Sequence, residues 1–320
     1  NDGVVIWGDE LQDWNTHVIE NNTVNGRPLY YFKNRVGGKV PEDAGQVILA
    51  NCTGFVLENL NISNTNGIII GFSSQNIITN NNISSNNEDG IYLYYSSNNS
   101  ITDNNISSNN WYGIDLDYSS NNCITDNNIS NNGKGIDLDY SSNNCITDNN
   151  ILNNDDGIDL WYSSNNCITD NNISNNGKGI DLWYSSNNCI TDNNISSNNW
   201  HGICLRHSSN NNSITDNNIS SNNGEGIELG YLSNNNSITD NNISNNGYGI
   251  YLRYSSNNSI YLNNFIDNRD NVCSYDSANI WNSTEEITYT YNGKTYTSYL
   301  GNYWSDYTGS DADGDGIGDT

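Results

Sequence analysis

From Gln46 onward, short segments of alternating apolar and polar residues are separated by runs of Asn, Ser and Gly on a period of 21–24 residues. The apolar residue closing each period is Ile62, Ile83, Ile106, Ile129, Ile151, Ile173, Ile195, Ile219, Ile243 and Phe265, which makes about ten coils. Between residues 113 and 195 one phrase recurs almost unchanged, Gly-Ile-Asp-Leu-x-Tyr-Ser-Ser-Asn-Asn-Cys-Ile-Thr-Asp-Asn-Asn-Ile. Alternation within it puts Ile114 and Leu116 on one side and Asp115 and Asp117 on the other. A unit of this length cannot close a core alone and must stack on its neighbours. Three such segments and three bends per coil predict an all-β fold, a right-handed parallel β-helix. Asn, Ser, Gly and Thr are poor helix formers, and no 3.6-residue stripe appears in the coils.

Stacking turns every repeat position into a column. Ile114, Ile136, Ile158 and Ile180 form one apolar column and Leu116, Leu138, Leu160 and Leu182 another. An aromatic column runs Phe72, Tyr95, Tyr118, Tyr140, Tyr162, Tyr184, His207, Tyr231 and Tyr254. Asn99, Asn104 and their equivalents fall in bends, where amides can bond up and down the stack. An open solenoid end exposes core and unpaired strand edges, so the non-repetitive ends read as caps. The expected division is an N-terminal cap over 1–46, the β-helix over 47–266 and a C-terminal cap over 267–320. In the first, residues 4–7 (Val-Val-Ile-Trp) read as a strand. In the last, Asn292-Gly293 between two Thr/Tyr segments predicts a hairpin with a type I′ turn.

Composition changes the picture in two ways. Hydrophobic residues are only 34%, yet their regular spacing argues against disorder. Ten Lys+Arg against 37 Asp+Glu give a net charge of −27, which disfavours nucleic acid and anionic membrane surfaces and suits Ca²⁺ and an extracellular or cell-surface setting. No run of about 18 apolar residues offers a transmembrane segment. Seven Cys leave at least one thiol unpaired within the chain.

Several constellations could carry chemistry. Asp311, Asp313 and Asp315, with the carbonyl of Ile317 and an oxygen of Asp319, match the first part of a Ca²⁺ loop, although no acidic residue follows at its twelfth position. The column Asp115, Asp137, Asp159, Asp181, with Asp117 and Asp139 two residues along, reads as solvated acids or weak Ca²⁺ sites. The alternative is a carboxylate pair, drawn from Asp115, Asp117, Asp137 and Asp139, at spacings that overlap those of glycosidases. Beside it Tyr94, Trp161 and Trp183 suggest an exposed binding surface for protein or sugar. Arg206 and Arg253 are expected to lie two coils apart and away from the Asp cluster, which disfavours a lyase chemistry that pairs Asp-bound Ca²⁺ with a basic Arg. Cys123, Cys145, Cys167 and Cys189 form a row that suits free thiols better than disulfides or a tetrahedral metal. Copper is not expected, since no His/Met delivery motif is present. Among many Asn-x-Ser/Thr sequons, Asn21, Asn51, Asn282 and Asn105 are the glycosylation candidates.

Asn22-Thr-Val-Asn-Gly-Arg-Pro-Leu-Tyr-Tyr, Ala44-Gly-Gln-Val-Ile-Leu-Ala-Asn-Cys-Thr, the coils, and Gly301-Asn-Tyr-Trp-Ser-Asp-Tyr onward resemble the NosD-type β-helix family. The resemblance implies a periplasmic or cell-surface protein, in its archaeal branch a surface protein, and for the founding member a role in copper-enzyme maturation. Fold alone does not fix function. The expectation is a non-enzymatic, Ca²⁺-stabilised, glycosylated β-helix that assembles with copies of itself or other surface proteins into a layer, sheath or filament. The alternative is a β-helix that binds or degrades polysaccharide through the Asp/Trp face, and the third reading is copper maturation.

Overall fold

The computed structural model describes residues 3–319 and stacks the alternating segments into three parallel sheets, two of 11 strands and one of 13 strands that an antiparallel pairing extends at its N-terminal edge. Residues 1, 2 and 320, at the outer limits of the expected caps, lie outside the described residues. Register is unbroken through the repeat: Ile114 pairs Ile136, Ile136 pairs Ile158, and Ile158 pairs Ile180, with the Asp and Leu columns alongside. The inward Ile and Leu of all three sheets are fully buried in one continuous core. Each such side chain contributes about 2 kcal/mol of transfer free energy, against which the cost of ordering the chain is set.

The Asn-Asn pairs are explained by the bends. In each bend the first of two residues takes a left-handed conformation (Asn121 φ 60°, Asp126 φ 55°, Asn131 φ 57°). Asn and Asp tolerate this region better than other side chains. The second residue points inward and satisfies the backbone. Asn127 accepts from the Asn104 amide at 3.0 Å and donates to the carbonyls of Ile101 at 2.9 Å and Thr125 at 3.0 Å. Its Nδ2 also reaches Asn149 Oδ1 at 3.0 Å, continuing a buried ladder along the rod. A Ser column does the same work in the bend that holds Asn121, Ser119 Oγ donating to Leu93 and Asp117 carbonyls at 3.1 and 2.8 Å. Most of the buried Asn and Ser side chains are thereby paired, as a narrow solenoid requires, while Nδ2 of Asn144 and of Asn166 has no hydrogen-bond partner among the described residues.

The parallel sheets run past the expected limits of 47 and 266, since Arg27–Lys33 pairs with Gln46–Ala50 and Asp270–Tyr275 with Tyr248–Arg253. Residues 4–7 are not a strand. The Gln46 side chain takes their place beside the sheet, accepting from the Val4 amide at 2.9 Å and donating to its carbonyl at 2.7 Å. A short helix, Leu11–Asn15, follows and lays Trp14 across the outer face of the 13-stranded sheet. At the other end Asn302 continues the ladder beyond Asn263, and Trp304 stacks on Phe265 at 4.6 Å, closing the core. Between them Ile287–Tyr291 and Lys294–Ser298 form the expected hairpin, with φ 46° at Asn292 and 77° at Gly293 as a type I′ turn needs.

Candidate functional site

The 13-stranded sheet presents the Asp and Trp columns outward, but the strand is not strictly alternating. A Cβ at Gly113 would stand 2.6 Å from the Gly135 carbonyl oxygen, so glycine is required there and the next residue back turns outward. Lys134 and Lys178, three residues before Asp137 and Asp181, therefore share the Asp face. Lys134 Nζ bridges Asp137 at 2.8 Å and Asp159 at 2.6 Å. Lys178 Nζ bridges Asp181 at 2.7 Å and Asp156 at 3.2 Å. Counting alternation along the strand hides both lysines; the recurring Lys-Gly-Ile-Asp phrase in two of the coils was the available signal. The expectation that the Asp cluster lacks a basic partner is corrected by these pairs.

The Asp column is also not solvated. Asp115, Asp137 and Asp181 are buried beneath their neighbours, and Asp159 is half-buried. Burial, with the nearby Asp89 and Asp137 charges, holds the Asp115 carboxyl well above its usual range. Asp137 is pushed up to about 7, mainly by burial, with Lys134 opposing. Asp139 rises to about 6 by burial and the charge of Asp117. Asp117 accepts from the Tyr92 hydroxyl at 3.1 Å. Oδ1 of Asp115 and of Asp181 has no hydrogen-bond partner among the described residues.

Lys134, Asp139, Asp159, Lys178 and Asp181 line an open cleft of about 310 Å³ whose remaining walls are Trp161 and Trp183. A second cleft of about 440 Å³ shares Lys178 and adds Asp156 and the exposed Trp200. Trp161 is 39% exposed, as the expected binding surface requires, and Trp183 is half-buried against His207 at 4.6 Å. Tyr94 does not belong to that surface. It is 9% exposed, stacked under Trp14 at 5.5 Å and bonded to Asp9 at 2.8 Å, because the N-terminal segment covers this part of the sheet.

Along the rim the tyrosines of the aromatic column are exposed and stacked, Tyr95 on Tyr118 at 4.8 Å and Tyr162 on Tyr184 at 4.6 Å. Each sits at a positive φ, such as 49° for Tyr118, where bulky residues are rare. Stacking offsets that cost. The ring faces cover one another, so the column offers edges and hydroxyls to a ligand.

One coil beyond Trp183 lies a group that the sequence did not reveal. His201 Nδ1 is 2.5 Å from Glu225 and Nε2 is 3.4 Å from Glu228, while Arg206 Nη2 reaches Glu228 at 2.6 Å. Arg206 pairs in register with Trp183, so it adjoins the Asp cluster rather than lying away from it. His201 holds the Glu225 carboxyl below its usual range. Among the described residues, two groups of three side chains could hold a metal: His201, Glu225 and Glu228, and Asp311, Asp313 and Asp315. In the second, Asp311 accepts from the amides of Gly314, Asp315 and Gly316 at 2.7–3.0 Å, and Asp319 accepts from Ala312 at 2.6 Å. All seven Cys are free thiols, and burial pushes Cys145 up to about 11.

The sequence profile of the family described as periplasmic copper-binding protein (NosD) matches residues 135–309, and that of the right-handed β-helix region matches residues 45–194. The chain belongs to the NosD family. Its parallel coils are accordingly a right-handed β-helix. No curated protein matches the chain. Among solved structures it is similar to the periplasmic alginate epimerase AlgG, with a TM-score of 0.58 and 16% identity over 84% of this chain and 81% of that one. It is also similar to the mannuronan C-5 epimerase AlgE6 A-module of Azotobacter vinelandii (TM-score 0.52, 16% identity, 79% and 90% covered). A third is DFA-IIIase from Arthrobacter chlorophenolicus A6 (0.52, 16%, 73% and 69%). At these identities the likeness establishes the shared fold. The expectation of a non-enzyme is corrected to this extent: the architecture read as a passive rod is one that these enzymes share, so a repetitive β-helix is no ground for excluding catalysis.

The copper implied by the family description does not fit the donors present. The chain has no Met, four of its seven thiols stand in a row, and among the described residues no thiol joins a group of three possible metal ligands. The one His beside two carboxylates offers mainly hard oxygen ligands, with Arg206 already on Glu228. Among the described residues no helix is long and apolar enough to cross a membrane.

Proposed function

We propose that the chain binds and processes a polysaccharide laid along the rod axis on the open part of the 13-stranded sheet. The observation that carries this reading is the cleft in which the indoles of Trp161 and Trp183 flank Asp139, Asp159 and Asp181. Indole faces and close polar groups are what a sugar ring requires, an apolar flat surface with hydroxyl partners at its edge. Successive coils lie about 4.8 Å apart, close to the length of one sugar in an extended chain, so neighbouring coils act as neighbouring subsites. Asp139, held at about 6 and open to the cleft, is suited to proton transfer near neutral pH, with Asp137 at about 7 behind it. The similar folds of alginate and mannuronan epimerases support this reading.

The test is a panel of neutral, acidic and amine-bearing polysaccharides, with binding and product formation measured for the native chain, Trp161→Ala and Asp139→Asn. Loss of binding in the first and of turnover in the second is expected. Unchanged binding and turnover in both variants would remove the face from the account.

In the same reading the protein works outside the cytoplasm, as the description of its family supports. The turn at residues 311–319 is its Ca²⁺ site, Asp311, Asp313 and Asp315 supplying carboxylates and Ile317 a carbonyl. Glycans belong on exposed Asn21, Asn51 or Asn282. Asn105 suits one less well, because its amide donates to Asn82 at 3.0 Å in a close-packed outer ladder.

A further inference from the structure

The cleft is short of positive charge. Five carboxylates, Asp137, Asp139, Asp156, Asp159 and Asp181, surround two ammonium groups, and each lysine is already shared between two of them. Asp139 has neither an ion pair nor a hydrogen bond to its side chain among the described residues, and Asp181 keeps one buried oxygen, in the cleft wall, without a partner. Like charges in partial burial respond by holding protons unless a cation arrives, which is why burial and neighbouring charge push Asp139 up to about 6. Above them Trp161 meets Tyr140 and Tyr162 at 74° in both cases, so neither ring stacks on its indole, which is 39% exposed.

We propose that the glycan bound here carries free amino groups, an amino-sugar polymer whose ammonium groups seat between Asp139, Asp159 and the face of Trp161. This inference rests on the reading of the face as a polysaccharide site and adds the charge of the substrate. A uronate polymer would bring further carboxylates to groups that already hold protons, and a chain of net charge −27 repels it at longer range. A neutral polymer supplies hydroxyls but leaves the charge unbalanced. An ammonium group supplies three donors and the missing charge together, and the exposed indole adds a cation–π contact.

The experiment is calorimetric titration near neutral pH with oligomers of equal length of glucosamine, N-acetylglucosamine and mannuronate. It uses the native chain, Asp139→Asn, Trp161→Ala, and Glu286→Gln as a control for overall charge, since Glu286 is exposed near the C-terminal hairpin. The glucosamine oligomer should bind about tenfold or more tightly than the acetylated one, and Asp139→Asn and Trp161→Ala should each lose about that factor. Glu286→Gln should change little. Glucosamine binding that survives Asp139→Asn, or falls equally with Glu286→Gln, is attraction to the bulk charge and overturns the proposal. Equal or tighter binding of the acetylated or mannuronate oligomer, still lost in Trp161→Ala, overturns the charge assignment while leaving the polysaccharide reading in place. Binding of none of the three would end both.

Discussion

Residues 69–94 and residues 115–183 contribute to the same sheet in continuous register, yet their outer faces are unlike. Over the first stretch the outward positions are Ile69, Gly71, Tyr92 and Tyr94, and they pack with Ile6 and Trp14 into a second, smaller core. Over the second they are Asp, Lys and Trp, and they stand round an open cleft. The inner faces of both stretches are the same buried Ile and Leu. Repetition therefore fixes the inside of the rod everywhere, while its outside is decided by where a non-repetitive segment lies across it. Chemistry begins where the N-terminal segment stops.

Removing the cover is the largest way to break this contrast. Trp14 is 0% exposed and fills the space over Gly71, so Trp14→Ala should cost about 3–5 kcal/mol by denaturant unfolding. It should also render Tyr94 accessible to chemical modification. A cost within experimental error of zero would show that the segment is not part of the packed structure.

On the open stretch, Lys134→Met leaves Asp137 and Asp159 without their shared cation. Breaking a buried pair from one side costs about 3 kcal/mol when the remaining charges cannot neutralise. Here they can protonate, so the loss should be large at pH 8 and small at pH 5. A loss independent of pH would mean that the lysine acts through packing of its stem alone.

The unaltered protein should show a related pH dependence. Asp89 and Asp137, at about 7, and Asp139, at about 6, hold their protons more tightly folded than unfolded, where a carboxyl titrates near 3.9. Their stabilising contribution is complete below the unfolded value and disappears as pH rises through 6 to 7. Thermal unfolding should come about 5 °C earlier at pH 8 than at pH 5. A melting temperature that is flat or rising across that interval would contradict the raised carboxyl values. Asp137→Asn should flatten the dependence in part.

The smallest expected effect on stability is at the cleft wall. Trp161→Ala exposes little and should cost about 1 kcal/mol or less, while weakening ligand binding about tenfold or more. A large stability loss would mark Trp161 as a structural shield.

Periodicity made much of this legible. The coils, the Ile and Leu columns and the Asn ladders follow from one repeat read as a stack, and the hairpin from Asn292-Gly293. What it obscured has physical causes. Treating Tyr94 as one more member of the Trp161 column ignores residues 3–19, which carry no repeat and bury it. Lys134 and Lys178 vanish when alternation is carried through Gly135 and Gly179, where close approach of the next coil breaks it. The Asp column looked solvated because exposure was judged from strand direction alone, without the side chains of coils above and below. His201, Glu225, Glu228 and Arg206 are brought together across adjacent coils that depart from the repeated phrase.

The central claim is that the open stretch of the sheet is where a sugar chain lies. Hydroxyl-radical footprinting of the tryptophans, with and without a saturating oligosaccharide selected from the panel, tests it most directly. Trp161 is exposed beside the cleft, whereas Trp7 and Trp111 are exposed outside its lining. Protection of Trp161 and Trp183, with Trp7 and Trp111 unchanged, is the predicted result. Protection confined to Trp7 or Trp111, with Trp161 as reactive as in the free protein, would contradict it.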